Sequence, residues 1–269
     1  MSFTHEQIER YSRQIVLKEI GGIGQERLLK STITIIGCGG LGSPVAYYLT
    51  AAGIGRLKLV DFDVVDLSNL HRQILHFTND IGKKKTQSAI EKLRKLNPDV
   101  EIEVINEMLL PSNIKEILKG SDFVIDGSDN IPTKMLINDA CIQLNIPFSI
   151  AGVIRFNGQI ITVKPNEKTA CYRCVFGDIT ENNSTMSCSQ AGVIGLIPGI
   201  VGSIQANEAI KTILNIGDLI TNRMLFLDLL KYRFSFINVT RNEKCLACGN
   251  NAVDLVDSHD YKIGDACFE

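Results

Sequence analysis

A glycine-rich loop between two apolar runs is the first segment whose residue types and spacing can carry chemistry. The run Ile33–Ile36 leads into GCGGLG at residues 37–42, and a second apolar run, Leu57–Val60, ends at Asp61. In a strand–loop–helix–strand unit, glycines let the backbone approach phosphate, the helix N-terminus faces the anion, and the acid can hold ribose hydroxyls. The glycine pattern alone also fits a structural turn, but the surrounding elements favour nucleotide binding.

The polar run that follows Asp61 distinguishes this unit from the dinucleotide site of a dehydrogenase. Residues 62–73 include Asn69 and Arg72, and three consecutive lysines follow at 83–85. A guanidinium fork and a lysine ammonium can surround the α-, β- and γ-phosphates of a nucleotide. The alternative is that Arg72 and the lysines are solvated surface charges. We expect this alternative for Lys83 and Lys84. No GxxxxGK[ST] motif occurs, so a P-loop is excluded.

Two CxxC pairs form the second group of residues with evident chemistry. They are Cys171–Cys174 and Cys245–Cys248. Four thiolates in a tetrahedral array suit zinc, with each sulfur about 2.3 Å from the ion. A redox motif and an iron–sulfur cluster are the alternatives, but two pairs in a chain without a secretory signal favour zinc. Because four protein ligands leave no open position, this site is predicted to be structural and not catalytic.

The remaining cysteines have less defined roles. Cys188 lies in a polar segment, where a following helix would lower its pKa, and the pattern fits a reactive thiol and an inert one equally. Cys38 and Cys141 lie in apolar surroundings and are predicted to be buried. Cys267 lies near the end of the chain and is not assigned a role.

The predicted elements alternate in the first part of the chain and attach the glycine loop to a sheet. The order β-α-β-α-β-α-β-α-β implies an α/β fold, with a Rossmann-like, mostly parallel sheet and helices on both faces. After Ile154 an Asn157-Gly158 pair between apolar runs predicts a hairpin, and later runs predict further antiparallel strands. Near the N-terminus a short helix is predicted over Thr4–Tyr11, followed by an irregular arm that contains Arg13.

The composition is that of an ordinary globular protein. The chain has 269 residues, of which 45% are hydrophobic and 22% charged, enough to bury one large α/β core. A net charge of −2 gives no electrostatic footprint for nucleic acid or for an anionic membrane. The N-terminus lacks the apolar core of a signal peptide, so a cytoplasmic location is predicted.

Taken together, these residues resemble those of the bacterial E1-like (ubiquitin-activating-enzyme-like) adenylyltransferases, the activators of the sulfur-carrier proteins for molybdopterin and thiamin biosynthesis. The resemblance extends from about Arg10 to Gly249 and depends on motifs that are specific in combination. These motifs are Arg10-Tyr11-Ser12-Arg13-Gln14, the glycine loop, Asp61-x-Asp63, Ser68-Asn69-Leu70-x-Arg72-Gln73, Gly82-x-x-Lys85, Asp126-x-x-Asp129-Asn130 and both CxxC pairs.

The resemblance implies a role for each matching position. The implied nucleotide-binding residues are Gly39, Gly40, Gly42, Asp61, Asp63, Asn69, Arg72, Lys85 and Asp129. Among them, Asp61 would hold the ribose, and Asp129 would bind the Mg²⁺ that bridges the phosphates of ATP. The side chains that would contact the triphosphate are Asn69, Arg72 and Lys85. Arg13 would reach into the active site of the other subunit in a homodimer. The implied catalytic residues are Arg13, Arg72, Lys85, Asp129 and Cys188, the last through thioester, acyl-disulfide or persulfide chemistry known in some members.

The implied reaction joins the C-terminal glycine carboxylate of a ubiquitin-fold carrier ending in Gly-Gly to the α-phosphate of ATP, which yields an acyl-adenylate and pyrophosphate. A separate protein would donate the sulfur. A peptide-adenylating enzyme of nucleotide-antibiotic synthesis is the near alternative. An NAD-dependent oxidoreductase and a non-catalytic nucleotide-binding scaffold are disfavoured by the phosphate-binding cluster.

The expected organisation is one domain over residues 1–249. Its nucleotide-binding part would cover about 31–153, and its carrier-binding and zinc part about 154–249. Residues 250–269 are polar and are expected to form a loosely held tail.

Overall fold

The computed structural model describes residues 3–177 and 191–261, so the predictions for Cys188 and Cys267 lie outside the described residues. The helices are α1 (His5–Ile15), α2 (Gly21–Lys30), α3 (Gly42–Ala52), α4 (Lys85–Leu96), α5 (Pro111–Leu118), α6 (Ile131–Gln143), α7 (Tyr172–Phe176) and α8 (Leu196–Leu214). The strands are β1 (Thr32–Ile36), β2 (Arg56–Val60), β3 (Glu101–Ile105), β4 (Phe123–Asp126), β5 (Phe148–Ile154), β6 (Asn157–Val163), β7 (Arg223–Asp228) and β8 (Arg233–Asn238). None of the helices in these two ranges is long and apolar enough to cross a membrane.

The described strands form one sheet in the order β3-β2-β1-β4-β5-β6-β7-β8. Neighbouring strands from β3 to β5 run parallel, and β6, β7 and β8 continue the sheet in antiparallel pairs. The chain builds outward from β1 to β3 and then returns to the other edge of β1, so the strand order reverses between β1 and β4. The predicted fold class, a mostly parallel sheet extended by antiparallel strands, is confirmed.

Alternating strand residues pack into helix layers on opposite faces of the sheet. In β1, Ile33 and Ile35 pack in a core with residues of α3, α4 and α8. Ile36 packs instead in a core with residues of α5, α6 and α7. Because both faces of the parallel strands are covered, these strands read as continuous apolar runs in the sequence.

The prediction of an irregular arm around Arg13 is wrong, because α1 continues past this residue. Thr4 and Gln7 form a capping box at the start of the helix. Tyr11 is the single side chain of α1 that is fully buried, and its hydroxyl lies 3.2 Å from Oδ2 of Asp99. Ile8, Tyr11 and Ile15 recur at helical spacing, so the apolar pattern of this segment extends to the end of the observed helix.

The predicted hairpin is present, but its turn lies before the Asn157-Gly158 pair. Ile154 pairs with Asn157 across β5 and β6, so the segment Arg155-Phe156 forms the turn. Gly158 is required by packing instead, because a Cβ at this position would lie 2.5 Å from Cγ2 of Val201 on α8. The glycine therefore marks a close approach of a helix to the sheet.

The described part of the C-terminal tail packs against the core, so the prediction of a loosely held tail is wrong for residues 250–261. Leu255, Val256 and Tyr261 are buried in the same core as α5 and α6. Lys115 on α5 forms an ion pair with Asp257 at 2.7 Å. A few spaced apolar side chains anchor this segment to the core. The prediction misses them because it is based on the polar composition of the segment as a whole.

Replacing Tyr261 by phenylalanine should lower the free energy of unfolding by about 2 kcal/mol, because a buried carboxylate loses a hydrogen bond. The Tyr261 hydroxyl donates to Oδ2 of Asp139 at 2.6 Å. The control is Tyr232→Phe, whose tyrosine is 85% exposed, and its effect should stay within about 0.5 kcal/mol. Urea denaturation measures both. An unchanged unfolding free energy for Tyr261→Phe would show that this contact does not anchor the tail.

Candidate active site

A pocket of about 440 Å³ opens at the carboxyl ends of β1 and β4, where the strand order reverses. The loops after β1, β2 and β4 and the first residues of α6 contribute to its walls. Ligands of parallel α/β sheets bind at such a reversal, because the connections on its two sides leave in opposite directions and open a crevice. The volume lies in the usual range for small-molecule sites. The glycine loop predicted to bind nucleotide therefore lies at the expected place.

The glycines of the loop after β1 meet different steric demands. Gly37 has a φ of 89°, in the left-handed region that favours glycine. A Cβ at Gly42 would overlap the carbonyl oxygen of Gly37, so Gly42 permits the tight turn into α3. Gly39 and Gly40 line the pocket, whereas Gly42 is not among its lining residues. The first two of the three predicted glycines therefore face the pocket, and the third shapes the loop.

Asp61 lies at the end of β2 and lines the pocket beside the glycine loop. Its Oδ2 accepts a hydrogen bond from the Cys38 N–H at 2.7 Å, and its Oδ1 accepts one from the Asp63 N–H at 2.9 Å. Burial raises the pKa of Asp61, and the positive charge of Lys85 opposes that rise. Because each carboxylate oxygen can accept a further hydrogen bond, Asp61 retains capacity for ribose hydroxyls.

Lys85 and Arg72 bring positive charge to the pocket, which both residues line. The Lys85 side chain is 8% exposed, and its Nζ lies 2.8 Å from Oδ2 of Asp63. The Arg72 Nη1 donates to the Ser68 carbonyl oxygen at 3.1 Å. Its Nη2 has no hydrogen-bond partner among the described residues and is available to a phosphate oxygen.

The other two lysines of the run are surface residues, as predicted. Lys83 forms ion pairs with Asp80 at 3.3 Å and with Glu91 at 3.1 Å. Lys84 donates to the carbonyl oxygen of Phe62 at 2.7 Å. Within this run, therefore, only the third lysine lines the pocket.

Asp129 is exposed in the loop between β4 and α6 and lines the pocket. Lys134, in the first turns of α6, is a buried residue of this site that no motif predicts. Its ammonium donates to Oδ2 of Asp126 and to the carbonyl oxygens of Ser128 and Ala151, each at 2.7 Å. All three ammonium hydrogens are used, so Lys134 fixes the loop that carries Asp129. A single lysine near the start of α6 has no spacing pattern that indicates these contacts, so the sequence carries no signal for this role.

Besides Gly42, two described residues of the predicted nucleotide and catalytic site, Asn69 and Arg13, are not among those that line the pocket. The Asn69 side chain caps a 3-10 turn, where its Oδ1 accepts a hydrogen bond from the Asp66 N–H at 3.2 Å. Arg13 is exposed on α1. A single subunit therefore does not bring Arg13 to its own pocket wall, and a role in a second subunit stays a prediction.

The four predicted metal ligands meet in space, with Sγ atoms that all lie within 4.8 Å of one another. The Sγ of Cys171 lies 3.7 Å from those of Cys174 and Cys245, and the Sγ of Cys174 lies 3.4 Å from that of Cys248. Tetrahedral zinc–sulfur bonds of about 2.3 Å separate the sulfurs by about 3.8 Å, so the spacing fits zinc. Hydrogen bonding with Cys171 lowers the pKa of Cys174, which also accepts a hydrogen bond from the Asn242 N–H at 3.3 Å.

An ion pair that no motif predicts joins this cluster to α6. Arg173 lies between two of the cysteines and donates from Nε and Nη2 to the two oxygens of Asp139, at 2.8 and 2.7 Å. Both side chains are buried. Helix α6 thus runs from the pocket at its N-terminal end to the cysteine cluster near its C-terminal end.

The remaining described cysteines are buried, as predicted. Cys38 is 1% exposed and Cys141 is fully buried. Burial raises the pKa of both thiols well above the ordinary value. Both therefore remain protonated and unreactive at neutral pH.

Comparison with known proteins gives consistent matches over nearly the whole chain. The model of the ThiF family matches residues 11–247. The SAMP-activating enzyme E1 of Haloferax volcanii is 42% identical over 261 residues, which cover 97% of this chain and 96% of that protein. The sulfur carrier protein adenylyltransferase of Thermus thermophilus is 41% identical over 263 residues, which cover 96% and 97%. The solved structure of E. coli MccB with ATP has a TM-score of 0.78 and 27% identity, over 90% of this chain and 75% of that chain.

Proposed function

Because the chain belongs to the ThiF family, we propose that it uses ATP to adenylylate the C-terminal glycine carboxylate of a small ubiquitin-fold sulfur-carrier protein ending in Gly-Gly. Two relatives that it matches over nearly their full length, one named an E1 enzyme and one an adenylyltransferase, support this function. The structural observation that carries the proposal is the meeting of Arg72, Lys85 and Asp129 in the pocket of the glycine loop. Hydride transfer by an NAD-dependent oxidoreductase needs no such cluster.

The reaction replaces one phosphorus–oxygen bond by another. A carboxylate oxygen of the carrier attacks the α-phosphorus of ATP, the bond to the bridging oxygen of the β-phosphate breaks, and pyrophosphate leaves with the electron pair. No covalent intermediate with the enzyme is required. The task of the chain is therefore to align the reactants and to neutralise phosphate charge.

The pocket residues divide these tasks among themselves. The two free lone-pair positions of Asp61 orient the ribose, and the glycine loop approaches the phosphates. Arg72 and Lys85 stabilise the negative charge that grows on the departing pyrophosphate. Asp129 is the carboxylate placed to hold Mg²⁺, an ion that takes oxygen ligands and neutralises phosphate charge.

Exchange of labelled pyrophosphate into ATP tests the proposed function directly. We expect exchange only when a carrier with an intact C-terminal Gly-Gly is present. A carrier that lacks the last glycine is the matched control and should support none. If the protein binds ATP but no carrier from the same genome supports exchange, the proposed substrate class is wrong.

A peptide is the second candidate for the adenylylated substrate. The fold shared with E. coli MccB is compatible with it, because a fold alone does not select the acyl group. Exchange supported by a short peptide, and not by any ubiquitin-fold carrier, would decide in favour of this alternative.

We also propose that the four-cysteine cluster holds one structural zinc ion. Removing Cys248 by Cys248→Ala should release the metal and lower the melting temperature by more than 10 °C, because the free energy of metal binding contributes to folding. Cys141→Ala is the control: its buried thiol lies outside the cluster, so this variant should lose packing energy but keep its zinc. Metal analysis and calorimetry measure both effects. Zinc-free protein with unchanged stability would contradict the structural role.

We further propose that the chain works as a cytoplasmic homodimer and receives sulfur from a separate donor protein. Val16 and Ile23 near the N-terminus are more than 70% exposed, and a second subunit can cover such apolar area. Light scattering on the purified protein measures the oligomeric state, and a monomer at micromolar concentration would contradict the dimer.

Within each subunit, we propose that residues of about 31–153 bind the nucleotide and residues of about 154–249 bind the carrier and zinc.

For Cys188, we propose a role in transfer and not in adenylylation. The α-phosphate reaction needs no thiolate, so Cys188→Ala should leave pyrophosphate exchange within about twofold of the wild type. If the thiol relays sulfur or acyl groups, thiocarboxylate formation on the carrier should fall at least tenfold. Loss of exchange in a variant that folds and binds ATP would show that the thiol acts earlier.

A further inference from the structure

His76 is a buried histidine for which adenylylation, as described above, has no use. It lies between β2 and α4, is 3% exposed, and is not among the residues that line the pocket. Its Nε2 lies 2.9 Å from the carbonyl oxygen of Cys38 in the glycine loop. Its Nδ1 lies 2.9 Å from Oγ of Ser88 on α4. One ring therefore connects the glycine loop to a neighbouring helix.

The partners of His76 determine which ring nitrogen carries the proton. A carbonyl oxygen can only accept, so Nε2 is protonated and donates to Cys38. Nδ1 then accepts from the hydroxyl of Ser88, whose oxygen accepts in turn from Nζ of Lys92 at 2.8 Å. Lys92 is also paired with Asp80. Burial lowers the pKa of His76 to about 4, which agrees with a neutral ring at neutral pH.

Two side chains hold consecutive peptide groups of the glycine loop. The N–H of Cys38 donates to Oδ2 of Asp61 at 2.7 Å, and its carbonyl oxygen accepts from His76. Because a trans peptide is planar, the Cys38 carbonyl and the Gly39 N–H point in opposite directions. The Gly39 N–H donates to no group in the described part of the chain, and Gly39 lines the pocket. The contact with His76 therefore turns an unpaired N–H away from the protein interior.

We propose that His76 is a positioning residue that holds the Cys38–Gly39 peptide so that the Gly39 N–H binds a phosphate oxygen of the nucleotide. This inference rests on the proposed ATP site and adds a residue to it. Backbone N–H groups before a helix are suited to anions, but a glycine peptide is free to rotate unless something holds it. Asp61 holds only the preceding peptide, so His76 supplies the missing constraint.

Binding of ATP and of adenosine to His76→Phe tests the inference. Phenylalanine keeps an aromatic ring but removes both hydrogen bonds. The dissociation constant for ATP should rise about tenfold, while that for adenosine should stay within about twofold, because adenosine has no phosphate. His76→Gln places an amide donor near the position of Nε2 and should recover most of the affinity for ATP. His259→Phe, a change at an exposed histidine, is the control and should alter neither constant.

The outcomes separate this inference from the proposed function. If the wild-type protein does not bind ATP, both fail. If it binds ATP and the folded His76→Phe protein weakens ATP and adenosine equally, or weakens neither, the positioning role is wrong and the proposed function stands. Should His76→Phe not fold, Ser88→Ala decides, because it removes the hydroxyl that fixes the ring. We then expect about threefold weaker ATP binding with unchanged adenosine binding, and the absence of that selective loss overturns the inference.

Discussion

Replacement of Asp129 by alanine should reduce pyrophosphate exchange by about three orders of magnitude in a protein that remains folded. Asp129 is exposed and lines the pocket at the carboxyl end of the parallel sheet. It forms no hydrogen bond or ion pair with the described residues, so its removal costs little stability. Without this carboxylate Mg²⁺ loses a protein ligand, and the phosphates lose the charge neutralisation that the reaction requires.

Asp122→Ala is the matched control for this loss of activity. Asp122 lies at the opposite end of β4 and accepts a hydrogen bond from the Thr32 N–H at 2.8 Å. Its replacement should lower stability slightly and leave exchange unchanged. Near-normal exchange by Asp129→Ala, with melting temperatures of both variants close to the wild type, would refute the assigned role of Asp129.

The parts of the fold and the site that could be predicted are those encoded by short spacing. The glycine loop, Asp61 after the next strand, and the continuous apolar strands all follow from local pattern and locate the pocket. The CxxC pairs predict a four-cysteine cluster because cysteines at this spacing suit one ion. The closing of the two pairs onto one another is then confirmed by Sγ atoms within 4.8 Å.

The parts that could not be predicted depend on contacts between distant segments. His76 reaches the carbonyl of Cys38, and Lys134 reaches that of Ala151 on the next strand. A lone histidine or lysine carries no spacing signal for such a contact. Asn157-Gly158 shows the opposite failure: a sequence typical of a turn lies in a strand, because Gly158 makes room for α8.

Arg13 presents a third kind of problem, because its predicted role involves a second molecule. The sequence places it in a motif of the family, yet within one subunit it is exposed on α1 and absent from the pocket wall. An arginine fork that binds phosphate must contact it directly. A catalytic Arg13 therefore requires a second subunit, and complementation between two inactive variants can detect it.

Arg13→Ala and Arg72→Ala should each lose about three orders of magnitude of exchange activity alone and regain activity when their subunits are mixed. If Arg13 acts across a dimer, each mixed dimer has one site with Arg72 from its own chain and Arg13 from the partner. Equal mixing should then restore roughly a quarter of the wild-type sites, since half of the dimers are mixed and each has one intact site. Variants remixed with themselves are the control. If subunit exchange is verified and activity stays absent, the proposed role of Arg13 is wrong, because a site shared between subunits would have been rebuilt.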